Sequence, residues 1–241
     1  MHLMNNNVIE IKSVSKAFDA RRVLSEIDLC AGQGISLFVC GVNGAGKSTL
    51  LRIIAGLLQP DSGSMSICGY DLNRDPEKAK AQLGVILHGS MVYADLTVSE
   101  NLSFFARLYG LGKSCARVRR LLDDVGLSSY THDKAGVLSR GLLQRLAIAR
   151  ALLHKPSVLL ADEPFTGLDC EASEHLADIL RDFADRGGAM VMTTHDARMG
   201  LRCCDRVVIL DNRRLIFDAE TGSIDAEKFA NDYLGYARSV K

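Results

Sequence analysis

Only four prolines occur in 241 residues, and the chain has no Pro-rich linker, internal repeat or low-complexity tract. Any subdomains therefore run into one another without a spacer. A surplus of either charge is also missing. Lys plus Arg number 29 and Asp plus Glu 29, so no basic field exists to hold a nucleic-acid backbone, and direct nucleic-acid binding is excluded as the main activity. Long apolar runs are absent too. The longest uncharged window, Leu29 to Gly46, is interrupted by five glycines, Gln33 and Asn43, and cannot offer the unbroken apolar surface of a spanning helix. The opening stretch from Met1 to Asn7 has neither the basic nor the apolar region of a secretion signal. These absences lead us to expect a cytoplasmic protein that meets a membrane, if at all, through another chain. The seven cysteines (Cys30, Cys40, Cys68, Cys115, Cys170, Cys203 and Cys204) are odd in number and form no C-x-x-C pair, so they read as reduced core residues.

What is present suits a globular α/β protein. Hydrophobic residues make up 47% of the chain, ample for a buried core. Short β-prone runs fall at Val8 to Lys12, Gly34 to Cys40, Ser64 to Cys68, Val158 to Ala161, Ala189 to Thr193 and Arg206 to Leu210, with helical stretches between them. This alternation predicts a largely parallel sheet, and the first fifty or so residues add a small antiparallel layer. From about Asp71 to Leu153 the pattern is mostly helical, with amphipathic spacing in Glu100 to Gly110 and Ala116 to Val125, and reads as a helical subdomain inserted in the core. Residues 211–241 are expected to form a C-terminal hairpin and helix, the helix within Thr221 to Lys241.

The strongest chemical signal is Gly41-Val42-Asn43-Gly44-Ala45-Gly46-Lys47-Ser48-Thr49, which fits G-x-x-x-x-G-K-[ST] between an apolar strand and a helix. Glycines let the backbone turn its N–H groups inward around phosphate oxygens, where a Cβ would block the approach. Lys47 then reaches the β- and γ-phosphates, Ser48 offers a hydroxyl to Mg²⁺, and the positive end of the following helix faces the anion. Val158 to Ala161 is an apolar strand ending in Asp162 and Glu163, at the strand end where α/β sheets place ligands. Asp162 would hold Mg²⁺ through water and Glu163 would orient or deprotonate the attacking water. Alone, the pair also fits a solvated strand end.

Between these motifs lies Leu138-Ser139-Arg140-Gly141, and after them come Gly167-Leu168-Asp169 and Thr194-His195-Asp196. Taken singly, Ser139 reads as an ordinary helix N-cap. The order of all five motifs resembles the nucleotide-binding domain of ATP-binding cassette (ABC) proteins, over all but the last thirty or so residues. The resemblance implies an α/β P-loop NTPase of ABC type, with a mixed sheet, a small antiparallel layer and an inserted helical subdomain, as a single domain over 1–241. It further implies ATP and Mg²⁺ as cofactors and two copies closing head to tail, with Ser139 and Gly141 of one copy meeting the γ-phosphate held by the other. His195 would contact the γ-phosphate and the catalytic carboxylate, Asp169 would help join the copies, and Phe18 would stack on adenine. The lesser alternative for Phe18 is a core residue.

Two positions depart from the family pattern. His88 stands where a glutamine is usual, offering a titratable nitrogen to water or Mg²⁺, and Leu142 stands where the signature segment usually ends in glutamine. Arg140 also replaces a glycine and adds charge beside the anion site. These changes suggest slower or differently regulated hydrolysis. Met91, Val92 and Tyr93 fall where such domains receive a coupling helix of the membrane subunit, and either form an apolar docking patch or pack inside the helical subdomain. The function implied is an ATPase subunit powering movement through a separate transmembrane permease, most like ABC-2 type exporters including the haem exporter of cytochrome c maturation. It would then sit on the inner face of the membrane through that permease. The alternatives are a soluble ABC-type ATPase, for which a coiled coil, zinc ligands or second cassette would be expected, and a low-turnover nucleotide switch.

Overall fold

The computed structural model describes residues 7–87, 91–112, 114–233 and 235. β1 (Asn7–Phe18), β2 (Arg21–Gly32), β4 (Ser62–Ile67) and β5 (Tyr70–Asp71) form an antiparallel sheet in the order β2-β1-β4-β5. The larger sheet contains β3 (Ser36–Cys40), β6 (Leu83–Ile86), β7 (Val158–Asp162), β8 (Ala189–Thr193), β9 (Arg206–Asp211) and β10 (Arg214–Glu220). Its order is β10-β9-β3-β8-β7-β6, parallel throughout except for β10, which returns antiparallel to β9.

Apolar residues on both faces explain why the central strands read as continuous hydrophobic runs. Successive side chains point to opposite faces of a strand. Leu37, Val39, Val158, Leu160, Val208 and Leu210 face α1 (Lys47–Ile54) and the antiparallel sheet in one core. Their alternates Phe38, Leu159, Ala161, Met190, Val207 and Ile209 face a second core. Helices α6 (Cys170–Asp185), α7 (Ala197–Cys203) and α8 (Ala226–Asn231) cover that second face. After the short α2 (Pro76–Ala81), a third core joins α3 (Val98–Leu108), α4 (Cys115–Asp124) and α5 (Arg140–Leu152) through Val98, Leu102, Val118, Leu122 and Leu146. Thr97 opens α3 with a capping box: its hydroxyl accepts from the Glu100 N–H at 3.2 Å, and the Glu100 carboxylate accepts from the Thr97 N–H at 2.8 Å.

Residues 83–86, within the stretch expected to be mostly helical, are instead the edge strand β6, paired with β7. Its outer edge is covered from α5 and the turn after it. Arg150 Nη2 donates to the Val85 carbonyl at 2.6 Å, and His154 Nε2 bonds the Leu83 carbonyl at 3.0 Å. A carbonyl only accepts, so His154 Nε2 carries the proton. These bonds satisfy an edge that would otherwise offer bare acceptors.

Two other expectations change. All seven cysteines are free, but Cys30, Cys115 and Cys170 are exposed and so are not core residues. Within the expected terminal helix, residues 236–241 lie outside the described residues, Thr221–Ser223 is a 3-10 turn, and α8 (Ala226–Asn231) starts later, capped by the Asp225 carboxylate. Phe229 anchors it, fully buried against the second core.

Candidate functional site

Three adjacent strands, β3, β8 and β7, carry the chemistry at their carboxyl ends. β3 ends at Cys40, and Gly41 begins the loop in a conformation with φ +156°, where a Cβ would meet the Leu210 carbonyl oxygen at 2.3 Å. Only glycine permits that approach. Gly46, at φ +111°, caps α1 without a side chain, so its place beside Val23 and Leu24 is also restricted to glycine. The loop's N–H groups and the start of α1 thus enclose one end of a cleft of about 1020 Å³. Gly44, Ala45, Gly46, Lys47, Ser48 and Thr49 line it together with Asn43. Lys47 is buried, and its Nζ donates to the carbonyls of Gly41 at 2.7 Å and Val42 at 3.2 Å, pinning the loop around its own side chain. Beneath the loop, burial pushes the Cys40 thiol up to about 12 despite nearby Lys47, so it stays protonated and unreactive.

At the end of β7, Asp162 is only 6% exposed. Its Oδ1 accepts from Thr193 Oγ1 at 2.6 Å and from Ser48 Oγ at 3.2 Å. A buried carboxylate needs such donors, because burial without them is costly. Asp162 with Ser48 presents hard oxygen donors of the kind Mg²⁺ accepts alongside water and phosphate oxygens. Glu163 leaves the strand with φ +53°, a left-handed backbone that a non-glycine residue adopts only under local constraint. The constraint is visible: the Glu163 N–H donates to the Thr193 carbonyl at 3.0 Å and to Thr193 Oγ1 at 3.1 Å. This turn separates the two neighbouring carboxylates, leaving Asp162 in the sheet and sending Glu163 toward His195. Glu163 Oε2 accepts from the His195 N–H at 3.1 Å and contacts His195 Nδ1 at 2.8 Å. The imidazole side chain is 67% exposed; His195 does not itself line the cleft and meets it through Glu163, which does.

Thr193 ties the Asp162 carboxylate to the Glu163 backbone N–H, a role that nothing in its strand-end position announces. We predict that Thr193→Val destabilises the fold by about 1–3 kcal/mol, the cost of leaving a buried polar group short of its partner. Urea denaturation checks this; an unchanged midpoint would mean that Asp162 finds another donor.

Phe18 ends β1 at the opposite wall of the cleft and is 46% exposed, so it is not a core residue. The Lys16 ammonium lies 5.7 Å from its ring centroid. Sequence reasoning does not single out Arg22 or the β9–β10 turn, where Asn212 and Arg213 take positive φ; both line the cleft. Turn-forming residues are the one available signal for the second of these.

Ser139, Gly141 and Asp169 do not line this cleft. Ser139 caps α5, its hydroxyl accepting from the Leu142 N–H at 3.4 Å, and Asp169 caps α6 by accepting from the Ala172 N–H at 2.8 Å. A Cβ at Gly141 would touch Ala172 at 3.5 Å, so the two helix starts sit side by side. Ser139 and Arg140 are exposed there. Leu142, in place of a polar residue, packs against the third core. His88 lies outside the described residues. Met91 and Tyr93 are 55% and 51% exposed, whereas Val92 packs inward. Asn101, fully buried, holds this loop by accepting from the Tyr93 N–H at 2.8 Å and donating to the Tyr93 carbonyl at 3.0 Å.

Comparison with known proteins bears on the family and the fold. The family described as ABC transporter matches residues 24–166. The linearmycin resistance ATP-binding protein LnrL of Bacillus subtilis is 32% identical over 211 residues, covering 87% of this chain and 68% of that protein. The Nod factor export ATP-binding protein I of Burkholderia pseudomallei is 37% identical over 210 residues, covering 86% and 69%. Among solved structures, one described as the ATP binding subunit of an ABC transporter superposes with a TM-score of 0.84 at 31% identity, over 97% of this chain and 100% of its own.

Proposed function

The chain belongs to the ABC transporter family and is an ATP-hydrolysing subunit that powers transport; we propose that it works as one of two copies, each completing the other's active site. The observation carrying this reading is the separation inside one chain: the loop cleft holds Lys47, Ser48 and Glu163, while Ser139 and Gly141 lie outside it on an exposed helix start. A helix N-terminus with a hydroxyl cap attracts anions. Facing a second copy, it would close on the γ-phosphate in that copy's cleft.

In this reading Gly41 to Thr49 wrap the phosphates and Phe18 supports the adenine. Lys47 exchanges its two loop carbonyls for phosphate oxygens. Ser48 and Asp162 would hold Mg²⁺, which supplies charge neutralisation across the β- and γ-phosphates. Glu163 takes the proton of the attacking water, with His195 fixing its Oε2 through Nδ1–H and, as an imidazolium, donating Nε2–H to the γ-phosphate. Asp169 stands where two copies would meet. His88 occupies a glutamine's place on the strength of the sequence alone.

Among the described residues no helix is long and apolar enough to cross a membrane, so the transport path would belong to a separate permease. Met91 and Tyr93, the latter held by Asn101, offer an apolar surface for it, and in this reading the chain sits on the cytoplasmic face of a membrane through that partner. Export is the direction we infer, from the Nod factor export relative.

A mixing experiment tests the shared site. Lys47→Ala disables one half, and Ser139→Asp disables the other while keeping a good N-cap, since aspartate caps as well as serine but repels phosphate. Each variant alone should be nearly inactive. Mixed, they should recover ATPase activity, because the hybrid pair contains one site with both halves intact. No recovery from two folded variants would overturn the paired reading.

A further inference from the structure

At the end of the larger sheet opposite the nucleotide cleft lies a second groove of about 800 Å³. Pro156 and Ser157, just before β7, and Gly187 and Gly188, just before β8, form its floor. α4 makes one wall and α6 the other. Leu121, Val125, Leu152, Ile179 and Phe183 make the lining apolar, and the Phe183 ring lies so close on Gly188 that a Cβ there would meet it at 2.3 Å. This volume and lining are those of a small-molecule site with a few polar groups to fix orientation.

The rim is basic. Arg120 and Arg186 are matched by Asp124 at 4.0 Å and Asp182 at 2.7 Å. Arg117 and Lys155, also at the rim, make no ion pair among the described residues. Lys155 adopts φ +57° although Pro156 follows it. A residue before proline favours extended backbone, so this left-handed turn is held against its preference and carries the lysine at the groove's edge.

We propose that the groove binds an amphiphilic anion: one acyl chain along the apolar lining, with a carboxylate or phosphate head met by Arg117 and Lys155. A neutral chain would leave both cations unanswered, and a cationic one would be repelled. Since α4 belongs to the helical core and α6 to the sheet's cover, such a ligand braces two parts of the fold far from the nucleotide.

Calorimetric titration of the full chain, without nucleotide, with monomeric laurate tests this independently of the ATPase reading. Laurate should bind one per chain, and dodecyl maltoside and dodecyltrimethylammonium should not. The double variant Arg117→Ala, Lys155→Ala should weaken laurate by about tenfold or more, the effect of losing charge-assisted contacts. Ala116→Phe, an exposed α4 position on the groove wall, should weaken it by filling the space without disturbing the core. Equal binding by the double variant, equal binding of all three amphiphiles, or association with phosphatidylglycerol vesicles but not with monomeric laurate would each overturn the proposal.

Discussion

Glu163→Gln should leave ATP binding intact while lowering its hydrolysis by a factor of about 10² or more, the range set by loss of a general base. The substitution is close to isosteric. A glutamine oxygen can still accept from the His195 N–H at 3.1 Å and from Nδ1 at 2.8 Å, so the turn at the end of β7 has no reason to move. What disappears is the capacity to take a proton from water. With ATP held but not cleaved, two copies would stay closed, and the variant should elute as a nucleotide-loaded pair in gel filtration with MgATP. Phosphate release gives the rate. Turnover at the level of the unaltered protein would remove Glu163 from the chemistry; a monomer without nucleotide would show that the substitution damaged binding instead.

Glu163 stands out in the amino-acid sequence because its signal is local: an apolar strand ending in two carboxylates places both near the ligand end of a parallel sheet. What separates their environments is not legible there. The left-handed backbone at Glu163 and the hydrogen bonds from Thr193 depend on β8 lying beside β7, a pairing of residues thirty or so apart in the chain. The sheet shows the same limit. β3, β7, β8 and β9, apolar on both faces, stand out as continuous hydrophobic runs. β6 does not, because four residues between a helix and a loop acquire strand character only by pairing with β7 and by the cover of Arg150 and His154. β2 is obscured differently. Its alternation of Leu24, Ile27, Leu29 and Ala31 slips at Glu26, where φ is +51° and the register with β1 shifts, so a strict period of two misses it. Asn101 is hidden because a buried amide in an amphipathic helix looks like a polar-face residue until the loop it holds is in place.

Lys47→Ala is the second substitution with a large expected effect, and it separates two roles of one side chain. The ammonium caps the carbonyls of Gly41 and Val42, holding the loop in shape. On the proposed reading, the same ammonium would become the phosphate's positive partner when ATP binds. A hydrogen bond to a charged group contributes about 1.5–3 kcal/mol. ATP affinity should therefore fall by about tenfold to a hundredfold, measured by titration with a fluorescent ATP analogue. The loop itself should survive, because the close approach of Gly41 to Leu210 and the glycine cap at Gly46 fix its path without the lysine. A thermal melt should thus stay cooperative while binding is lost. If affinity falls only together with the fold, Lys47 acts chiefly as the loop's own cap; if affinity does not fall, the loop does not bind phosphate through it. A folded variant with weakened binding is the result expected of a lysine whose carbonyl partners serve as placeholders for phosphate oxygens.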